Sequence, residues 1–130
     1  MTEDQSRLSM IYEEERPWGK FRRFTDNEIS TVKILTVTPG CRLSFQYHHL
    51  RNELWRVLKT GVFIELEYPD GRKESLNDLK VGDEVFIEKE TKHRLGCRSD
   101  VSEPGEILEI SFGFFDENDI VRLNDDFGRV

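Results

Sequence analysis

Gln46-Tyr47-His48-His49-Leu50-Arg51-Asn52-Glu53-Leu54-Trp55 carries two of the three histidines in the chain, along with two amides and a carboxylate. Turn signals bracket it, Thr38-Pro39-Gly40 before and Lys59-Thr60-Gly61 after. In an extended chain alternate side chains share a face, so Gln46 and His48 point one way and His49 the other. A turn after His48 brings the Glu53 carboxylate round to the same side. His93, in another short β-like segment, offers the second imidazole. Gln46, His48, Glu53 and His93 are therefore expected to hold one divalent metal inside a small β-barrel. One amide oxygen, two imidazoles and one carboxylate form a mixed nitrogen and oxygen set. That set suits zinc, and also manganese, iron(II), cobalt or nickel.

Working outward, the rest of the chain reads as short strands. Phe21–Phe24, Ile29–Thr38, Arg42–Tyr47 and Leu54–Leu58 are extended pieces divided by turn residues. In Val62–Tyr68, Ile64 and Leu66 alternate with Glu65 and Glu67, the period of a half-buried strand. Pro69-Asp70-Gly71 is a hairpin turn, and Arg72–Leu76 returns from it. Glu84–Glu88 and Thr91–Leu95 follow. In Glu106–Phe115, the alternation of Leu108, Ile110, Phe112 and Phe114 predicts an inward face. Trp18, in the turn Arg16-Pro17-Trp18-Gly19, is expected to plug one end of the core. Glu117–Arg122 is the one segment with helical character, its acidic start suiting a helix dipole. The sum is an all-β sandwich or barrel with one short C-terminal helical turn.

Composition bounds the function. A chain of 130 residues is expected to form one domain, with 1–15 a charged lead-in and 16–130 the folded part. A net charge of −7 argues against nucleic acid or an anionic membrane as partner, yet leaves room for an anionic small molecule held by a few arginines. No apolar run approaches the roughly 20 residues of a membrane helix. Met1–Ser6 is polar, unlike a signal peptide. Cys41 and Cys97 form no Cys-x-x-Cys pair. A cytoplasmic location with reduced thiols is expected. There is no glycine-rich phosphate loop.

The spacing Gly40, Gln46-x-His48, Glu53 resembles the first cupin motif, with Gln46 in place of its first histidine. Gly82 followed by His93 resembles the second, with Glu88-Lys89-Glu90 where Pro-x-Gly is usual and Cys97 at the closing asparagine. A longer series is more specific. Arg16-Pro17-Trp18-Gly19-Lys20-Phe21, Pro39-Gly40-x-x-Leu43-Ser44-x-Gln46-x-His48-His49-x-Arg51-x-Glu53-x-Trp55, His93-Arg94-Leu95 and Asp119-Ile120-Val121-Arg122-x-x-Asp125-x-Phe127-Gly128-Arg129 resemble the type II mannose-6-phosphate isomerases. The similarity runs from about Arg16 to Arg129. In that family this cupin is often the C-terminal part of a bifunctional protein with a mannose-1-phosphate guanylyltransferase domain, which implies a place in nucleotide-sugar biosynthesis. The chain departs from the family at Leu50 and Leu54, often histidines there, and at Phe127, often tyrosine.

The resemblance implies a cupin double-stranded β-helix, or jelly roll, and the metal-dependent interconversion of mannose 6-phosphate and fructose 6-phosphate, with zinc the first choice of ion. Such chemistry moves a proton between C1 and C2, so it needs a Lewis acid, an acid–base group and a cation for the phosphate. Arg122 and Arg129 are expected at the phosphate or the developing charge. Asp125 is either the acid–base group or the partner that orients Arg129. Lys33, Arg42 and Lys92 are further candidate cations, or parts of a solvated face. The competing readings are a non-catalytic sugar-phosphate-binding cupin, motivated by Leu50, Leu54 and Phe127, and an iron(II) cupin oxygenase. A homodimer is expected by analogy of fold.

Overall fold

The computed structural model describes residues 11–129. The strands, in chain order, are β1 (Tyr12–Arg16), β2 (Gly19–Arg23), β3 (Ser30–Val37), β4 (Phe45–Tyr47), β5 (Asn52–Lys59), β6 (Val62–Glu67), β7 (Lys73–Leu76), β8 (Glu84–Ile87), β9 (Lys92–Cys97), β10 (Gly105–Phe112) and β11 (Val121–Asn124). β1 and β2 form an antiparallel hairpin. The other nine make two antiparallel sheets, β3-β10-β5-β8 and β11-β4-β9-β6-β7. Among the described residues no helix is long and apolar enough to cross a membrane.

The main core lies between the sheets. Trp55, Val57, Ile87 and Ile107 from one meet Ile64, Leu66, Leu95 and Cys97 from the other. In β6 the expected alternation holds, with Val62, Ile64 and Leu66 buried and Phe63, Glu65 and Glu67 partly exposed. A second cluster covers the outer face of the four-stranded sheet. There Leu54, Ile110 and Phe112 pack under Ile11 and Phe24, which flank the β1–β2 hairpin, and against Phe86. Arg22 on the hairpin and Arg56 on β5 share the Glu84 carboxylate and tie the hairpin to the sheet.

Several expectations are corrected. The helical turn expected at Glu117–Arg122 is absent: Asp116–Asp119 makes one tight turn, and Val121 and Arg122 pair with Tyr47 and Gln46 as β11. β-branched Val121 suits that ladder better than a helix. The inward face of β10 carries Ile107, Glu109 and Ser111, whereas Ile110 and Phe112 are buried on the outer face and Phe114 is exposed. Both faces of β10 are covered, so alternation alone could not say which one faced the barrel. Trp18 lies 72% exposed at the hairpin turn instead of plugging the core. β1 begins within the stretch expected as a lead-in, pairing Tyr12 with Arg23 and Glu15 with Lys20, while residues 1–10 fall outside the described part.

Candidate active site

His48, Glu53 and His93 converge at one end of the space between the sheets, with ligand atoms all within 4.8 Å of one another. Three elements place them. His48 follows β4, Glu53 lies on the inward face of β5, and His93 lies on β9 opposite Gln46 of β4. Gln46 shares the cavity wall with the three. His49 points out to the surface, where its Nδ1 meets the Glu90 carboxylate at 2.9 Å.

The chemistry of the three side chains fits a divalent ion. Each imidazole gives its Nδ1 to a backbone carbonyl, His48 to Asp119 at 2.6 Å and His93 to Thr91 at 2.9 Å. Those bonds fix the tautomer and leave the Nε2 lone pairs facing inward. Burial pushes the pKa of each imidazole down to about 4, and the Arg51 charge adds to the effect at both, so both are neutral near pH 7 as ligands must be. Both Nε2 atoms lie 3.5 Å from Glu53 Oε1. That is too long for a good hydrogen bond and close to the ~3.4 Å edge spanned by ~2.1 Å bonds to a tetrahedral ion. Glu53 Oε1 is buried without a hydrogen-bond partner, an acceptor that a cation would satisfy.

The three stand in a cavity of about 490 Å³ whose wall also carries Lys33, Arg51, Trp55, Glu109, Arg122 and Arg129. Glu109 sits in register between Lys33 on β3 and Trp55 on β5 and is 6% exposed. Ser111 Oγ lies 3.3 Å from both the Glu109 and the Glu53 carboxylates. Burial first, and then the charge of Glu53, push the Glu109 pKa up to about 8. It is a carboxylic acid near neutral pH, and the sequence reading missed it. Its only signal was a carboxylate inside an otherwise apolar alternation, which more often marks a solvent face.

Of the cations expected from sequence, Arg122, Arg129 and Lys33 line the cavity. Arg42 and Lys92 do not: Arg42 pairs with Asp126 and Lys92 with Glu67 elsewhere on the surface. The neighbouring parity explains Lys92, which faces away from the cavity that receives His93. Asp125 is not on the cavity wall. It accepts two bonds from the Arg129 guanidinium and one from its backbone N–H, and these hold its carboxyl far below the usual range. In this arrangement Asp125 orients Arg129.

The model of one protein family, mannose-6-phosphate isomerase C-terminal, matches residues 3–125. The chain belongs to this family. Among its curated relatives, the alginate biosynthesis protein AlgA of Pseudomonas putida is 33% identical over 130 residues, covering 99% of this chain and 24% of AlgA. The xanthan biosynthesis protein XanB of Xanthomonas campestris is 33% identical over 116 residues, covering 88% of the chain and 23% of XanB. The mannose-1-phosphate guanylyltransferase ManC of Salmonella typhimurium is 32% identical, covering 88% and 22%. The chain thus spans about a quarter of these relatives' length. Solved structures with the same fold include oxalate decarboxylase of Bacillus subtilis, with a TM-score of 0.65 at 18% identity over 74% of this chain and 24% of that one. CapF of Staphylococcus aureus gives 0.62 at 18% identity over 88% and 32%. The fold is an all-β cupin.

Where this member departs from the mannose-6-phosphate isomerase pattern, the cavity is spared. Leu50 follows the end of β4, so strand parity no longer governs it, and it is 71% exposed. Leu54 faces the second core cluster, on the side of β5 away from the site. Phe127 is 64% exposed. None of the three lines the cavity. At Glu88-Lys89-Glu90 the turn keeps a left-handed residue without glycine: Glu90 adopts φ 70°, and its N–H donates to the His48 carbonyl at 2.7 Å. The strand containing His93 is therefore delivered to His48 by a direct backbone bond.

Proposed function

We propose that this chain interconverts mannose 6-phosphate and fructose 6-phosphate, using one divalent ion, zinc by first choice, held by His48, Glu53 and His93 with Gln46 beside them. The observation that carries the proposal is a single cavity holding both the His48–Glu53–His93 triad and Glu109, a buried carboxylic acid that is not one of the three. The ion, when bound, supplies Lewis acidity to the sugar's carbonyl and hydroxyl oxygens. In its ionised form Glu109 takes the proton from one of the two carbons, and the acid so formed returns it to the other, a role that Asp125, tied to Arg129, does not fill. Arg122 and Arg129 bind the phosphate, and Asp125 fixes the plane of the Arg129 fork for bidentate contact. Trp55 and Leu43 exclude water from the reacting carbons.

Leu50, Leu54 and Phe127 motivated a purely binding cupin, and their positions outside the cavity weaken that alternative. The free thiols Cys41 and Cys97 accord with the reducing cytoplasm, where we place the protein. β3 is an edge strand that leaves Val32 and Ile34 more than half exposed, and a second copy of this chain is the partner we assign to it.

The deciding experiment strips the chain with a chelator, restores zinc, manganese, cobalt or iron(II), and measures fructose 6-phosphate formed from mannose 6-phosphate. Metal-dependent turnover, lost in His48→Ala, is expected. Saturable sugar-phosphate binding with no turnover under any metal would overturn the isomerase, and oxygen uptake with iron(II) would replace it with an oxygenase. Sedimentation velocity tests the dimer.

A further inference from the structure

Arg51 is buried, at 8% exposed, against the triad itself. Its Nη2 lies 3.2 Å from His48 Nε2, and its Nε lies 3.7 Å from Glu53 Oε2 without a hydrogen-bond partner. Nη1 donates to the Asp116 carbonyl at 3.3 Å, and the guanidinium lies 4.5 Å over the Phe115 ring. Lys33 Nζ lies 4.2 Å from the same ring. His48 Nδ1 is committed to the Asp119 carbonyl, so Nε2 is the acceptor that Arg51 uses. A neutral imidazole has one such lone pair. The lone pair that receives Arg51 is the one a metal needs.

We propose that Arg51 is an exchangeable cation of this site: it and the divalent ion compete for His48 Nε2, and metal loading thereby releases Arg51 to an anionic ligand. The proposal rests on the metal assignment made above and not on the isomerisation. Two costs oppose metal entry, the displaced hydrogen bond and the repulsion between a guanidinium and a divalent cation in a buried space. Once the ion engages His48, Arg51 keeps Asp116 and Phe115 but loses its one acceptor at the triad. A guanidinium has donors only, and buried donors without acceptors are expensive. An oxyanion entering the cavity beside Arg51 and Lys33 replaces that acceptor and offers one to the unpartnered Nε. Metal and anion therefore strengthen each other's binding, and linkage makes the effect reciprocal.

The test uses the full chain, zinc ion with a competing chromophoric chelator, and inorganic phosphate as the anion. Arg51→Met is expected to bind zinc roughly tenfold tighter than wild type, the scale of one charge-assisted hydrogen bond. In wild type, phosphate should raise zinc affinity severalfold, and in Arg51→Met that gain should fall to whatever direct phosphate–zinc contact provides. Unchanged or weaker zinc binding by Arg51→Met would overturn the proposal. Should that variant fail to fold, the wild type still decides: the ¹⁵Nε–¹H resonance of Arg51 must shift with the same midpoint as zinc binding. An immobile resonance overturns the exchange. Tighter zinc binding by Arg51→Met in a chain with no isomerase turnover would sink the isomerase reading and leave this proposal standing.

Discussion

Glu109 illustrates how one residue's chemistry is made by its neighbours. On β10 it faces the barrel beside Ser111, with Glu53 close enough to raise its pKa and Lys33 paired to it across β3. Such a carboxyl can both give and accept a proton near neutral pH. Glu109→Gln keeps the shape and removes the proton. It is expected to lower kcat by about 10²–10⁴-fold, the usual worth of a general acid–base group. Zinc content, read by atomic absorption, should be unchanged, and a loss of zinc parallel to the loss of rate would make Glu109 a ligand support instead. The His48–Glu53–His93 cluster was legible in the sequence because imidazoles and a carboxylate at this spacing are rare together. Glu109 was not legible, because a glutamate on an alternating strand looks solvated until both sides of the strand are known to be covered.

Elements decide which side is covered. The β1–β2 hairpin lies over the outer face of the four-stranded sheet and buries Phe112 with Leu54 and Ile110. Phe112→Ala should cost about 3–5 kcal/mol in urea unfolding, as a large ring is lost from a packed cluster. Phe114→Ala, on the same strand parity but 76% exposed, should cost less than about 0.5 kcal/mol. Equal costs would refute the two-sided description of β10. The turn at Glu90 bears on the site through backbone alone. Its φ of 70° is a left-handed conformation that costs a non-glycine residue roughly 1–2 kcal/mol. Glu90→Gly relieves that cost and gives up an exposed contact with His49 worth little. A gain of up to ~1 kcal/mol is expected after the extra chain entropy of glycine, and a clear loss in thermal unfolding would show that the Glu90 side chain is needed. The strand pieces and their turns were readable from β-branched runs and Pro or Gly punctuation. The C-terminal strand was not, because Glu117–Arg122 has an acidic start like a helix and its true partner, β4, lies far away in sequence.

At the scale of the whole molecule, an acidic chain of net charge −7 concentrates Arg51, Arg122, Arg129 and Lys33 around one cavity and buries His48, His93 and Glu109 in its wall. Those groups set how stability depends on pH in protein stripped of metal. His48 and His93 have pKa values near 4 when folded, against an ordinary 6.5. Between those limits the unfolded chain binds more protons, so stability rises with pH, by up to about 1.4 kcal/mol per pH unit for each imidazole. Glu109 works in the opposite sense. Its folded pKa is about 8 against an ordinary 4.5, so its contribution is complete below the unfolded value and is lost as pH rises through the folded one. The imidazoles penalise acid, Glu109 penalises alkali, and above pH 6.5 only the second slope remains. Urea unfolding of the chelator-treated chain should therefore show stability climbing from pH 4 to about 6.5 and then declining toward pH 8. His93→Gln should flatten the acid limb and Glu109→Gln the alkaline one. A profile flat from pH 4 to 8 in the wild type would mean that these three groups are hydrated rather than buried between the sheets.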